Sequence, residues 1–120
     1  GKAINPEQVH GQDEGAVMFA VGHTLCEELV YEDGQLLNPN LIDYRVPTFE
    51  NMPKQMQTEL IENGNGPGPF GAKGMGEGGL LPVASAIANA VSQAVGVRIQ
   101  NLPLTPPNVW AAIQAKKQTK

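Results

Sequence analysis

Eight of the fourteen glycines and two of the ten prolines fall between residues 64 and 79, and this run constrains the fold more than any other feature. Gly64-Asn65-Gly66-Pro67-Gly68-Pro69 cannot extend a helix or a ladder, so regular structure has to lie on either side of it. From Gly71 to Gly79 glycine recurs at nearly alternate positions. Such a backbone can approach a ligand closely and point N–H groups at oxygen atoms. The stretch lacks the Gly-Lys-Ser/Thr ending of a phosphate-binding loop, and its glycines do not fit the dinucleotide fingerprint. Two readings remain at this level: a ligand cradle, or a glycine loop crossing under the next helix.

The flanking segments predict an α+β domain of short antiparallel strands and about three helices. Residues 13–28 carry Val17, Val21, Leu25 and Leu29 in an i+4 row, with Met18 and Phe19 widening the apolar side, which predicts a first helix. Gly15 and Gly22 within it suggest close approach of a neighbour. Leu29-Val30-Tyr31 and Gln35-Leu36-Leu37 flank Asp33-Gly34, the signature of a tight hairpin. Asp43–Val46 reads as another short extended segment closed by Pro47, and Met56–Ile61 as a further strand. Pro82 suits a first helical position, and Val83, Ala86, Ile87, Ala90, Val91, Ala94 and Val95 keep helical period up to the capping Gly96. A last helix starts at Thr105-Pro106, with Val109, Trp110 and Ile113 expected to face inward.

A length of 120 residues allows one domain, and the 41% apolar content is that of a folded chain. The net charge of −4 argues against nucleic-acid binding. Lys116, Lys117 and Lys120 read as a solvated tail. The single Cys26 rules out an internal disulfide framework and suits a reducing, cytoplasmic setting. No stretch looks long enough to span a bilayer, and the Gly1-Lys2-Ala3 start, with neither Met nor an apolar core, reads as a trimmed end rather than a signal peptide. His23 and Cys26 would share a helix face, and His10 lies nearby in sequence. Further ligands are not evident, so no metal site is expected and a buried thiol is the simpler reading. Asp13-Glu14 reads as a favourable charge pair at a helix start.

Glu77 is the only acid after Glu62, and it stands among glycines. A carboxylate screened from water in such a turn is suited to proton abstraction. Equally, a surface glutamate near a helix start is favoured by the helix dipole.

Four ordered segments carry a resemblance that covers nearly the whole chain. The run Gly68-Pro69-Phe70-Gly71-Ala72-Lys73-Gly74-Met75-Gly76-Glu77 resembles the glycine-rich glutamate motif of xanthine dehydrogenase/aldehyde oxidase-type molybdenum hydroxylases. Ile4-Asn5-Pro6 with Gly11-Gln12-Asp13-Glu14-Gly15 is similar to the family's Asn-Pro and Gly-Gln pattern. Glu27–Tyr31 with Asp43-Tyr44-Arg45-Val46-Pro47-Thr48 resembles its hairpin and Asp-Tyr-x-x-Pro-Thr segment. Ala86–Ala90, Gly96–Ile99 and Leu102–Pro106 resemble its final helices. The resemblance implies the C-terminal part of a molybdopterin-binding large subunit, with residues 1–120 as a single piece of that domain. It implies Glu77 as the base beside the molybdenum, Gln12 as a contact of the molybdopterin cofactor, and Gly74, Met75 and Gly76 as further contacts. The reaction implied is hydroxylation of a purine, N-heteroaromatic or aldehyde with water as oxygen source. Iron–sulfur clusters and usually FAD would lie on other segments or subunits, since one cysteine cannot ligate a cluster. The isolated chain is therefore expected to bind no cofactor, to be inactive and to form homo-oligomers. A non-catalytic assembly module that keeps the fold is the alternative.

Overall fold

In the computed structural model, which describes residues 1–118, the first helix begins well before the apolar row. Helix α1 spans Pro6–Leu25, capped by Asn5, whose Oδ1 accepts from the Gln8 amide at 3.1 Å, with Pro6 in the first turn. The expected start at residue 13 was too late because Gly11, Gln12 and Gly15 hide the helical period in the N-terminal half. Asp13 and Glu14 thus sit inside the helix, not at its start. The buried face also differs from the expected row of large residues. Ala16, Ala20 and Thr24, spaced by four, are buried together with Val21 and Gly22, whereas Leu25 and Leu29 are exposed. Gly22 is needed there, since a Cβ would come within 2.8 Å of Pro47 Cγ and of the Glu27 carboxylate. Gly15 and Gly11 face open space.

The hairpin follows as expected. Strands β1 (Tyr31–Glu32) and β2 (Gln35–Leu36) pair antiparallel, Tyr31 opposite Leu36. Asp33 (φ 49°) and Gly34 (φ 81°) supply the two positive φ values of the turn. Asn38, buried at the neck, accepts from the Val30 amide at 2.9 Å and donates to the Glu28 carbonyl at 2.6 Å. Neither segment joins a ladder: Asp43 and Tyr44 fall in a turn, with Tyr44 N–H donating to Asn40 O at 2.9 Å, and the strand expected over 56–61 does not form. No second ladder exists among the described residues, so nothing there can complete a sheet.

Helix α2 spans Val83–Val95, with Pro82 at the cap position and Gly96 (φ 68°) as the left-handed C-cap. Val83, Ala84, Ile87, Ala88, Val91 and Val95 are half-buried, whereas Ala86, Ala90 and Ala94 are exposed, so the packed face is turned away from those three alanines. The eighteen residues Gly78–Val95 are apolar enough by length and composition to cross a membrane, contrary to the expectation above. The continuous α-helix within them is the thirteen residues of α2, about 20 Å against a hydrocarbon core of about 30 Å. Helix α3 spans Pro106–Gln118, and the Asn108 amide points at Thr105 Oγ1. Val109 and Ile113 are half-buried, but Trp110 is 63% exposed and anchors no core within this chain. Lys116 and Lys117 belong to the last turn of α3 rather than to a frayed tail, and the Lys116 ammonium donates to Gly96 O. Lys120 lies outside the described residues.

The core is small: Ala16, Ala20, Val21 and Leu104 are its buried apolar members. Leu104 docks through its amide on Thr24 O at 2.6 Å, which ties the chain after α2 to the end of α1. Helix α1 packs on α2 and on the turn Gly78–Leu80, and that contact positions the site.

Candidate functional site

The glycine run divides into two physically different halves. In the first, glycines are required by close packing. A Cβ on Gly66 would collide with the carbonyls of Gly71 and Ala72, and Gly71 (φ 73°) meets Gly64 in the same way. Backbone bonds hold this half: Gly66 N–H to Gly71 O at 3.0 Å, Gly68 N–H to Ala72 O at 3.0 Å, and Lys2 N–H to Gly71 O at 3.2 Å. The N-terminal strip adds Ala3 N–H to Glu62 Oε1 at 2.6 Å. In the second half, a Cβ on Gly74, Gly76 or Gly78 would meet nothing within 4 Å. Those three glycines border open space that a ligand can enter.

The second half runs beside α1. The Gln12 side-chain Nε2 donates to Gly76 O at 3.1 Å across 64 residues of sequence. Gly74 and Met75 line a cleft of about 390 Å³ together with Asp13, Thr58, Lys73 and Gly79. A neighbouring groove of about 350 Å³ is lined by Gln8, Gln12, Lys73 and Met75. Met75, like Lys2, Ala3, Val9 and Lys73, borders both hollows. Of the sequence-predicted residues, Gln12, Gly74, Met75, Gly76 and Glu77 all fall in this one region.

Glu77 opens the short 3-10 turn Gly78–Leu80, and its carbonyl accepts from Leu80 N at 3.1 Å. Its neighbours Met75 and Gly78 line the larger cleft. Of the two readings of Glu77, the surface one holds in this chain: Glu77 is exposed, because the adjacent glycines have no side chains to cover it. Asp13, Thr58 and Lys73 were missed as members of the site. Adjacency to Gln12 and to Gly74 could have signalled Asp13 and Lys73, whereas nothing in the linear pattern signals Thr58.

The other candidates lie elsewhere. His23 is exposed, while Cys26 is half-buried with its thiol directed at Gly22 O, 3.6 Å away. Burial, and secondarily the Glu27 carboxylate, push the Cys26 thiol above its usual pKa. Among the described residues no group of three or more His, Cys, Asp or Glu could hold a metal ion.

The donor set suits a polar organic cofactor more than a bare ion. Gln12 offers an amide that can both donate and accept, Lys2 and Lys73 bring cationic groups to the groove, and the open glycines bring backbone. These features fit a cofactor held mainly by hydrogen bonds and shape.

Residues 1–53 match the family model of the molybdopterin cofactor-binding domain. The chain is 38% identical over 112 residues to the xanthine dehydrogenase molybdenum-binding subunit of Escherichia coli O157:H7, covering 92% of this chain and 15% of that protein. It is also 38% identical over 118 residues to the 6-hydroxypseudooxynicotine dehydrogenase complex subunit gamma of Paenarthrobacter nicotinovorans, covering 95% of this chain and 15% of that one. Among solved structures, quinoline 2-oxidoreductase from Pseudomonas putida 86 superposes with a TM-score of 0.83 at 36% identity, over 95% of this chain and 15% of that chain. The chain thus spans about 15% of the length of the relatives it matches. The sequence motifs, the α+β architecture and these similarities converge: over nearly its whole length, the chain is homologous to part of the molybdenum-binding subunits of the xanthine dehydrogenase family.

Proposed function

We propose that this chain supplies the catalytic base and part of the cofactor pocket of a molybdenum hydroxylase of the xanthine dehydrogenase/aldehyde oxidoreductase type. In this reading residues 1–120 are one piece of the C-terminal part of the molybdopterin-binding region, and alone they are inactive. The observation that carries the reading is the hydrogen bond from Gln12 Nε2 to Gly76 O. It joins the candidate cofactor-binding amide to the residue next to the candidate base, although the two motifs lie far apart in sequence.

The molybdenum cofactor, when bound, supplies the redox chemistry, and the protein supplies position and proton transfer. Gln12, braced on Gly76, holds one polar edge of the cofactor through its remaining hydrogen-bonding capacity. Gly74 and Gly76 let the cofactor approach the backbone, and Met75 contributes shape where it borders both hollows. Glu77 accepts the proton of the water-derived nucleophile on a carboxylate oxygen. The remaining molybdopterin-binding segments would close over that carboxylate and exclude competing water. Iron–sulfur centres and usually flavin, carried by other segments or subunits, would supply the onward electron transfer. The substrate class is a purine, an N-heteroaromatic ring or an aldehyde.

The test is Glu77→Gln in the reconstituted complex. Molybdenum content should be kept, while turnover falls by at least about a hundredfold, the low end of what a positioned general base contributes. Near-normal turnover in that variant would refute the base role.

A further inference from the structure

We infer that Asp13 is a positioning residue that fixes the turn carrying Glu77, an inference that rests on the Glu77 reading above. Aspartate is a poor choice inside a helix, yet Asp13 sits in the middle of α1 and is half-buried. Its two carboxylate oxygens face two other parts of the chain, one through a hydrogen bond and one through close packing. Thr58 Oγ1 donates to Asp13 Oδ2 at 2.9 Å, tying in the unpaired segment 56–61. Asp13 Oδ1 lies so close to Gly79 that a Cβ there would collide with it. The preceding residue, Gln12, holds Gly76 O.

Two adjacent residues of α1 therefore reach the two ends of a four-residue turn, Gln12 by a hydrogen bond to Gly76 and Asp13 by packing against Gly79, with Glu77 between them. The turn needs this restraint because Gly76, Gly78 and Gly79 leave its backbone few intrinsic limits. A base displaced by about 1 Å can lose on the order of a hundredfold in rate, so a loose turn would be a poor carrier for it. The contacts call for a short side chain with an acceptor oxygen, which Asp13 supplies. A carboxylate accepts from Thr58 on one oxygen while its other oxygen packs against a glycine that has no side chain.

The test compares Asp13→Ala, Asp13→Asn and Gly79→Ala in the molybdenum-loaded complex, with amide hydrogen exchange of Gly78 and Gly79 as a second readout. Asp13→Ala should lower kcat by about ten- to a hundredfold with KM and molybdenum content unchanged. Asp13→Asn, which still accepts from Thr58, should recover most of that loss. Gly79→Ala should act like Asp13→Ala, and the double variant should be little worse than either single one, because both changes break the same contact. Exchange at Gly78 and Gly79 should quicken in Asp13→Ala. Unchanged exchange would overturn the inference, as would loss of molybdenum, which would mark a merely structural role. An unaltered kcat in Asp13→Ala, while Glu77→Gln abolishes turnover, sinks the positioning role and leaves the base reading standing. If Glu77→Gln is itself near normal, the base reading fails, and the exchange data still decide whether Asp13 holds the turn.

Discussion

Adjacent residues of one helix can serve opposite sides of a site. Gln12 was legible as a candidate because it belongs to a motif and its amide suits a polar cofactor. Asp13 was read as a helix-end charge, since nothing in the linear pattern reveals that Thr58 and Gly79 converge on it. Cys26 offers a second check at this scale. It was expected to be buried and is half-buried, with its pKa raised by burial and then by Glu27. A raised pKa means less thiolate at any pH below it, and the thiolate is the reactive form. Iodoacetamide at pH 8 should therefore modify Cys26 more slowly in the folded chain than in urea, and Glu27→Gln should speed the folded-state reaction. Equal rates in the folded and unfolded chain, followed by mass spectrometry, would contradict the shift.

Among the elements, the hairpin and the end of α2 were readable because their signals are local. Asp33-Gly34 can adopt the positive φ values the turn demands, and Gly96 takes a left-handed cap at no steric cost. Stability of the hairpin lies in its neck rather than its two-residue strands. Asn38 satisfies the Val30 amide and the Glu28 carbonyl, and removing it strands both groups. Asn38→Ala should cost about 1–3 kcal/mol locally, seen as faster hydrogen exchange at the Val30 and Leu37 amides. Exchange unchanged at both would show that the neck contributes nothing. Segment 56–61 was misread as a strand because alternation marks an extended chain but not a partner. The start of α1 was misjudged because glycines mask its period, although its cap, Asn5-Pro6, was in plain view. Its packed face was misjudged because the four-spaced Ala16, Ala20 and Thr24, not the larger residues, are the buried ones.

As a whole, the molecule exposes more than a finished domain of this mass. Its accessible surface is 9112 Å², against about 6,200 Å² for a compact 12.7 kDa monomer. Its radius of gyration is 18.3 Å, where about 14 Å is usual for 120 residues. Leu41, Ile42, Phe49 and Ile61 are each more than three-quarters exposed, and Trp110 stands out from α3. Apolar surface on this scale is normally covered. The isolated chain should accordingly self-associate in sedimentation experiments, with a mass above 12.7 kDa that falls on dilution. A strictly monomeric species at high concentration would contradict this.

By itself the sequence determined the helices, the hairpin turn, the irregular glycine run and the family resemblance, because each is written in neighbouring residues or in an ordered motif. Only the tertiary structure decided which glycines are packed and which face open space, that Gln12 grips Gly76, and that Asp13 meets Gly79. Those facts depend on the distance between segments far apart in the chain, and that distance is set by how α1 packs on α2 and on the turn after Glu77. The same packing leaves Trp110 and the Ala86, Ala90 and Ala94 side of α2 uncovered, which no periodicity could indicate, because an apolar residue is buried only where another surface is present to meet it.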